Sequence, residues 1–185
     1  MLDYVSAYKD FQWKVPNTFN FGTDVVDRWA ENSDRTALIW CNGDNIEKRY
    51  TFSDIARLTS QFANLMATHG VEKGDRVVII LPRIPAWQIS IVGCLKAGLV
   101  PIPCVTMLTT ADVAYRIENS NAKAVITTAE NTGKISDNFD LELRLSVGTS
   151  YGWLDFFPAI EDQSWSFDAP RVDAEDPAIL YYTSG

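Results

Sequence analysis

The sequence predicts an α/β protein, a layered and mostly parallel sheet with flanking helices plus an early β-hairpin. Residues 76–128 alternate strand, helix, strand, helix and strand, and connections long enough for a helix place successive strands parallel. The run "RVVIIL" at 76–81 is apolar after its first residue, which is typical of a strand covered on both faces. Residues 36–51 hold the turn pair Asn42-Gly43 between two strand-like runs, which predicts the hairpin.

A short helix is predicted before the hairpin, over residues 23–31. Val25, Val26 and Trp29 fall on one face of it, and Thr23 is a suitable N-cap. In the hairpin itself, apolar or aromatic residues alternate with charged ones after the turn. The Gly-Asp pair one position further along would serve equally well as the turn.

The longest helix is predicted to begin after the hairpin. Thr51 and Asp54 match a capping-box pattern with Asp in the usual Glu or Gln position, and Gly70 is placed to end the helix. His69, the only histidine, lies in the last turn, where its partial charge suits the negative helix end. We favour that role over a catalytic one. One apolar face is formed by Ile55, Leu58, Phe62, Leu65 and Met66.

The central repeat of strands and helices is punctuated by proline, glycine and a second capping pattern. Pro85 suits the first turn of the mostly apolar helix "AWQISIVGCLKAG", which Gly98 closes. "LVPIPCV" follows as a second buried strand. Thr109 and Asp112 then open a helix, and "AKAVITT" at 122–128 is the third strand. Each crossover is therefore helical, as a parallel sheet requires.

Signals weaken after Glu130. "LELRLSV" at 141–147 alternates like a strand, "GWLDFFPAI" suggests a short helix or turn, and residues 161–177 form a polar surface connection. The last eight residues, "AILYYTSG" at 178–185, begin with an apolar run that predicts a buried strand. Thr-Ser-Gly after such a strand suits either an ordinary turn or the opening of a phosphate-holding loop.

Composition limits the class of protein and its partners. The 185 residues are enough for one domain with a core, and the net charge of −8 makes nucleic acid and anionic membranes poor partners. No apolar run approaches the ~20 residues of a membrane span, and "MLDYVSAYKD" lacks the layout of a secretory signal. Three cysteines without C-x-x-C spacing suggest reduced structural thiols and a cytoplasmic protein.

Few residues stand out as carriers of chemistry. Ligands of open parallel sheets bind beyond the carboxyl ends of the strands, which draws attention to Arg83 and to the final Thr-Ser-Gly. Arg83 could hold a phosphate or carboxylate, or it could cap a helix or pair with one of the 24 acidic residues. Asp173, Glu175 and Asp176 are more typical of a solvated loop than of a metal site. The absence of G-x-G-x-x-G disfavours a dinucleotide-binding oxidoreductase.

Three motifs resemble the adenylate-forming superfamily of acyl-CoA synthetases, peptide-synthetase adenylation domains and luciferases. They are "RYTFSDI" at 49–55, "LKAGLVPIP" at 95–103 and "AILYYTSG", which resembles the first half of the phosphate-loop motif. The segments "FNFGTDVVDRWA", "GDRVVIILPRIPAW" and "VAYRIENSNAKAVIT" resemble its medium-chain acyl-CoA synthetase branch. The resemblance implies that residues 1–185 are the N-terminal part of a large adenylation domain, cut inside the phosphate loop, with residues 1–18 as an extension. The fold is then an incomplete portion of the acyl-CoA synthetase-like fold.

The resemblance also implies a two-step reaction for a longer parent enzyme. A medium-chain fatty or aromatic carboxylate attacks the α-phosphate of ATP, and CoA then displaces AMP from the acyl-adenylate. ATP, Mg²⁺ and CoA are the implied cofactors, and Thr183, Ser184 and Gly185 would cradle the β- and γ-phosphates. No catalytic or metal-binding residue matches within this chain. The chain alone is therefore expected to be inactive and to bind none of these cofactors tightly.

An alternative hypothesis is a stand-alone, non-catalytic α/β module that acts through protein–protein contacts. Sheet edges and apolar faces that the rest of an enzyme would cover are expected to favour self-association. No membrane span and no nucleic-acid partner are expected under either hypothesis.

Overall fold

The computed structural model of the chain describes residues 3–31 and 34–183. Within them the predicted α/β architecture is confirmed: five parallel strands form one sheet, and two antiparallel strands form a separate hairpin. The elements in chain order are α1 (Tyr4–Asp10), a π-helix (Phe21–Asp27) continued by α2 (Arg28–Ala30), β1 (Thr36–Cys41), β2 (Glu47–Thr51), α3 (Phe52–Thr68), β3 (Arg76–Ile80), α4 (Pro85–Lys96), β4 (Val100–Cys104), α5 (Thr110–Ser120), β5 (Ala124–Thr128), a 3₁₀ helix (Ala129–Lys134), β6 (Leu143–Val147), β7 (Leu154–Asp155) and α6 (Phe156–Glu161).

The parallel sheet has the strand order β4-β3-β5-β6-β7 and is covered on both faces. Val77 and Ile79 of β3 belong to the core beneath α3, α4 and α6. Val78 and Ile80, the alternate residues, belong to a second core beneath α5. Successive side chains of a strand point to opposite faces, so a strand buried on both sides needs the uninterrupted apolar run found there.

The hairpin is confirmed, but its turn differs from the predicted two-residue type. The Asn42 N–H donates to the Ile46 carbonyl at 3.1 Å, so the connection is a longer loop. The Asn42 side-chain oxygen accepts from the N–H groups of Asp44 (3.0 Å) and Ile46 (2.9 Å). The residue with positive φ is Asn45, at 57°, and not Gly43. Local hydrogen bonding by asparagine therefore selects the turn here.

The first helical segment begins earlier than predicted. Asn20, not Thr23, is the N-cap, and its side-chain oxygen accepts from the N–H groups of Gly22 (2.9 Å) and Thr23 (3.3 Å). The segment starts as a π-helix, and Trp29 is 47% exposed and not part of a buried face. The asparagine carboxamide is an efficient cap, and it also donates to the Lys96 carbonyl at 2.9 Å. This tertiary contact fixes the helix start.

Both predicted capping boxes are present. In α3 the Asp54 N–H donates to the Thr51 hydroxyl at 3.1 Å, and the Thr51 N–H and hydroxyl donate to the Asp54 carboxylate at 2.9 and 2.8 Å. These hydrogen bonds, the one from the Thr51 backbone first, hold the pKa of Asp54 below its ordinary value. The same arrangement joins Thr109 and Asp112 at the start of α5. Both helices thus have defined N-termini.

Asp54→Asn is expected to reduce the free energy of unfolding by about 0.5–1 kcal/mol at pH 7, because the amide is a weaker acceptor and lacks charge at the helix N-terminus. The folded-state pKa of Asp54 is below 3.8, so its contribution is present above the unfolded pKa and is lost as the pH falls through the folded one. Urea titrations of both proteins at pH 7 and pH 3 should show the difference shrinking in acid. Asp112→Asn should behave alike, and a difference independent of pH would contradict this account.

The chain after residue 130 contains more regular structure than its weak signals suggested. The predicted strand is confirmed as β6, parallel to β5. The following segment supplies β7 and α6, whose Phe156 and Ile160 are buried. Residues 162–177 form the predicted surface connection, but part of it pairs with the N-terminal region: the Phe19 N–H donates to the Val172 carbonyl at 3.0 Å, and the Ala174 N–H donates to Asn17 at 3.0 Å.

Candidate functional site

The carboxyl ends of the parallel strands meet at one edge of the sheet, where α/β proteins bind ligands. The loop after β3 contains Pro82 and Arg83, leads into Pro85 at the start of α4 and faces the hairpin. The Trp40 indole N–H donates to the Arg83 carbonyl at 2.9 Å, which ties the hairpin to this loop. Between them lies a mainly apolar cavity of about 370 Å³, lined by Leu38, Ile39, Trp40, Leu81, Pro82, Arg83, Ile84, Pro85, Trp87 and Gln88.

Arg83 is the one charged residue of that lining. Among the residues that the structure describes, its guanidinium has no acidic partner, and the N-cap of α4 is Ile84 without a side-chain hydrogen bond. The two structural roles considered for Arg83 in the sequence, an ion pair and a helix cap, are therefore not found. The side chain is exposed and remains available to an anion.

The second predicted location is the segment 178–183, and the prediction of a buried strand there is wrong. The segment has no regular secondary structure and is mostly exposed, and one backbone hydrogen bond joins it to the outer edge of β4, from the Leu180 N–H to the Pro101 carbonyl at 3.1 Å. In a parallel ladder, the Leu180 carbonyl would next accept from the N–H of residue 103, and in an antiparallel one from residue 101. Both are prolines and lack an N–H. The edge of β4 therefore cannot support a full ladder.

The predicted phosphate-binding residues follow directly. Thr183 is exposed at the end of this segment, and Ser184 and Gly185 lie outside the described residues. The preceding residue, Tyr182, is held from α5: its hydroxyl donates to the Asn119 side-chain oxygen at 2.7 Å. Burial, with the nearby Tyr115 as a smaller cause, raises the pKa of Tyr182. Thr183, the first residue of the predicted loop, thus directly follows a residue that is hydrogen-bonded to α5.

Two other candidate side chains, those of Asp176 and His69, contact neighbouring groups of the fold. The Asp176 carboxylate pairs with the Lys73 ammonium at 2.7 Å, which lowers the Asp176 pKa and agrees with the predicted solvated loop. His69 Nδ1 lies 2.9 Å from the Leu65 carbonyl at the end of α3. Within residues 3–31 and 34–183, no group of three or more His, Cys, Asp or Glu side chains has the arrangement of a metal site.

The cysteines are free thiols, as predicted, and differ in exposure. Cys41 is exposed, Cys94 is buried and Cys104 is partly buried. Burial raises the Cys94 pKa strongly and raises that of Cys104 to about 11. Because the reactive form is the thiolate, these two side chains act as small apolar groups in the core.

The sequence analysis missed one buried charge. Lys96, on the face of α4 that meets the π-helix, is 1% exposed, and its ammonium donates to the Asp27 carboxylate at 2.6 Å, to the Ser60 hydroxyl at 3.0 Å and to the Ala56 carbonyl at 3.1 Å. The available signal was a single charged residue in an otherwise uncharged helix. Lys96 thereby joins the π-helix, α3 and α4.

Comparison with known proteins identifies the family. The family described as AMP-binding enzyme matches residues 25–185, most of the chain. The chain belongs to the AMP-binding enzyme family. The chain is 33% identical to the mitochondrial acyl-coenzyme A synthetase ACSM2 of Rattus norvegicus, over 94% of this chain and 33% of the relative. It is 34% identical to the mitochondrial ACSM1 of Mus musculus, over 92% of this chain and 32% of the relative. It therefore spans about a third of these relatives' length.

Solved structures of an acyl-CoA synthetase and of a CoA ligase share the fold. The acyl-CoA synthetase of Brucella canis superposes with a TM-score of 0.89 at 23% identity, covering 98% of this chain and 36% of that one. The anthranilate CoA ligase AuaEII in complex with anthranoyl-AMP gives 0.81 at 25% identity, covering 92% of this chain and 32% of that one. The family match and the curated relatives confirm the resemblance of the chain to the adenylate-forming superfamily and its medium-chain acyl-CoA synthetase branch.

Among the described residues, no helix of the chain combines the length and the apolar character that crossing a bilayer requires.

Proposed function

We propose that the chain is the N-terminal part of an ATP-dependent acyl-CoA synthetase, an acid–thiol ligase that forms acyl-CoA, AMP and pyrophosphate through an acyl-adenylate. The observation that carries the proposal is the AMP-binding family match over residues 25–185, which includes the "AILYYTSG" segment. That segment lies along the outermost strand of a sheet of the type that binds ligands at its carboxyl end. The curated relatives named above are acyl-coenzyme A synthetases.

The acid substrate is proposed to be a medium-chain fatty acid or an aromatic acid. Support for an aromatic acid comes from the structurally similar anthranilate CoA ligase AuaEII. Support for a fatty acid comes from the medium-chain branch that the sequence motifs resemble. The longer enzyme would use ATP, Mg²⁺ and CoA, and Thr183, Ser184 and Gly185 would contribute to cradling the β- and γ-phosphates.

The described residues fit only a small part of a triphosphate site. Several converging donors are needed to hold phosphate oxygens, and among the predicted phosphate-loop residues the structure describes Thr183 alone. The net charge of −8 adds no general attraction for ATP. We therefore expect the isolated 185-residue chain to be catalytically inactive and to bind neither ATP nor CoA tightly.

Pyrophosphate exchange tests this proposal. The longer protein should exchange pyrophosphate into ATP when supplied with medium-chain or aromatic acids, whereas the 185-residue chain should not. Thr183→Ala in the longer protein should reduce the exchange by about tenfold, the effect of one hydrogen bond to a charged group. Tyr181→Phe, at an exposed neighbouring position, is the matched control and should leave it unchanged. Absence of exchange with every acid would refute the assignment.

Residues 1–18 are proposed to be an extension of the adenylation domain. α1 contains no buried residue, and the family match begins only at residue 25. Residues 17 and 18 nevertheless pair with the surface connection over 162–177, because the Ala174 N–H donates to the Asn17 carbonyl and Thr18 forms an isolated antiparallel bridge with Asp173. The proposed extension therefore ends at a residue that already pairs with the rest of the chain.

We place the protein in the cytoplasm. The support is the set of free thiols at Cys41, Cys94 and Cys104, which suits a reducing compartment. The relatives named above are mitochondrial proteins, so fractionation of cells is the decisive measurement. Recovery of the protein in mitochondria would overturn this placement.

A second candidate function is a non-catalytic module that acts through protein contacts, including self-association. It is favoured by a group of exposed aromatic residues near the N-terminus, of which Trp13 is 84% exposed, together with Tyr4, Tyr8 and Phe11. The sheet edges themselves contribute less: β4 carries two prolines and β7 has only two residues. Sedimentation at high concentration distinguishes the cases, since a monomer argues against self-association.

A further inference from the structure

The segment that leads into the predicted phosphate loop is not fixed by the sheet. As described above, Pro101 and Pro103 prevent a ladder along β4, and the segment 178–183 forms a single backbone hydrogen bond with that strand. A segment of a sheet is ordinarily positioned by its ladder. Here, with a single backbone hydrogen bond to the sheet, the position of Thr183 depends on side-chain contacts.

The side chains that hold the segment come from α5. The Tyr182 hydroxyl donates to the Asn119 side-chain oxygen at 2.7 Å. The Arg116 guanidinium lies over the Tyr182 ring, 5.1 Å from its centroid, and the Tyr115 ring meets the same ring edge-on at 6.0 Å. Leu180 and Tyr182 both pack against the core beneath α5. Three side chains of α5, within five residues of one another, thus hold the Tyr182 side chain.

The helix that supplies these contacts, α5, is well fixed in the fold. Its N-terminus is closed by the capping box of Thr109 and Asp112, and its Val113 and Ile117 side chains are buried in the core. The Arg116 guanidinium is further fixed by donating to the Asp112 carbonyl at 2.9 Å. The helix is therefore fixed by its own cap and by the burial of its apolar side chains.

We propose that Tyr115, Arg116 and Asn119 are positioning residues for the phosphate loop, acting through Tyr182. The inference rests on the proposed function, because it assumes that Thr183 and the residues after it bind the phosphates of ATP. Consecutive Cα atoms lie about 3.8 Å apart, so displacement of Tyr182 moves Thr183 directly. A binding constellation tolerates errors of only about 0.5 Å. Loss of the contacts between α5 and Tyr182 should therefore weaken ATP binding, although these side chains themselves do not contact ATP.

The first measurement is amide hydrogen exchange at Leu180 in the 185-residue chain. Tyr182→Phe and Asn119→Leu each remove the hydrogen bond and should speed exchange about 2- to 10-fold, the effect of one ordinary hydrogen bond. Asn119→Asp keeps an acceptor oxygen and should preserve the protection. Tyr181→Phe is the matched control, because Tyr181 is 64% exposed next to the gripped residue. Equal exchange rates in all five proteins, the wild type included, would overturn the proposal.

The second measurement is steady-state kinetics of the longer ligase carrying the same substitutions. Tyr182→Phe and Asn119→Leu should raise the KM for ATP about 2- to 10-fold and leave the KM for the carboxylic acid unchanged, with Asn119→Asp restoring the ATP value. Equal rises in both KM values, or none, would overturn the positioning role. Absence of activity in the wild type would instead refute the proposed function, and the exchange measurement at Leu180 would still decide whether α5 holds the segment.

Discussion

Replacing Asp27 with alanine is expected to lower the free energy of unfolding by about 3 kcal/mol, because it leaves a buried ammonium without its counter-charge. The Lys96 side chain is 1% exposed, while its partner carboxylate is 37% exposed. The value lies at the low end for buried pairs, since the Ser60 hydroxyl and the Ala56 carbonyl still accept from Lys96. Guanidinium-induced unfolding of the 185-residue chain measures the difference.

Lys96→Met supplies the control. Replacing a buried ion pair by apolar side chains is often nearly neutral, and the methionine retains much of the lysine stem's volume. The double variant Asp27→Ala, Lys96→Met should therefore be more stable than Asp27→Ala alone, by about 2 kcal/mol. If the double variant were no more stable than Asp27→Ala alone, the buried charge of Lys96 would not be the cause of the lost stability.

The same pair predicts a dependence on pH. Burial lowers the Lys96 pKa, and the hydrogen bond and charge of Asp27 oppose that shift. Because the folded-state pKa lies below the unfolded one, the unfolded state binds more protons between them, and stability rises with pH across that window. Without Asp27 the pKa falls further. The deficit of Asp27→Ala should therefore shrink as the pH rises from 7 toward 10.5, the ordinary lysine value.

Replacing Phe62 with alanine should cost about 3–5 kcal/mol, the range for deleting a buried phenyl ring. Phe62 is fully buried in α3 and packs against Phe156 of α6, with 6.0 Å between ring centroids. It also lies against Gly93 of α4, where an added methyl group would collide with the ring. The loss should appear in chemical denaturation as a lower midpoint with an unchanged slope.

The substitution Gly93→Ala is the control, because its effect on stability should change sign between the wild type and the Phe62→Ala variant. In the wild type, Gly93→Ala should destabilise by about 1–3 kcal/mol, because the methyl group overpacks against Phe62. In the Phe62→Ala background the ring is gone, so the same substitution should stabilise the chain by up to about 1 kcal/mol through higher helix propensity. A loss in both backgrounds would show that Gly93 is required for another reason.

Pattern and local chemistry sufficed for most of the regular elements. The capping residues Thr51 and Thr109 identified two helix starts, and the continuous apolar run at 76–81 identified a strand buried on both faces. Each rests on neighbours within a few positions, which a sequence displays directly. The first helical segment was misplaced because its cap, Asn20, is also held by the Lys96 carbonyl 76 residues away.

The candidate site followed the same division. The motif ending at Gly185 directed attention to the segment that meets the edge strand β4, but the expected strand over 178–182 did not form. The proline spacing in β4 was visible in the sequence, yet its effect depends on which edge of that strand faces outward. The cavity beside Arg83 requires the hairpin to fold against the loop after β3, through Trp40.

The sequence by itself determined the fold class, the order of the strands and helices along the chain and the family. These follow from periodicity, caps and motifs, which are properties of short stretches. Only the tertiary structure decided that Lys96 is a buried ion-paired residue and that Tyr182 is held by α5, whose Asn119 lies 63 residues earlier in the chain. Such contacts depend on which distant surfaces meet, and the packing of helices on the sheet sets that in three dimensions.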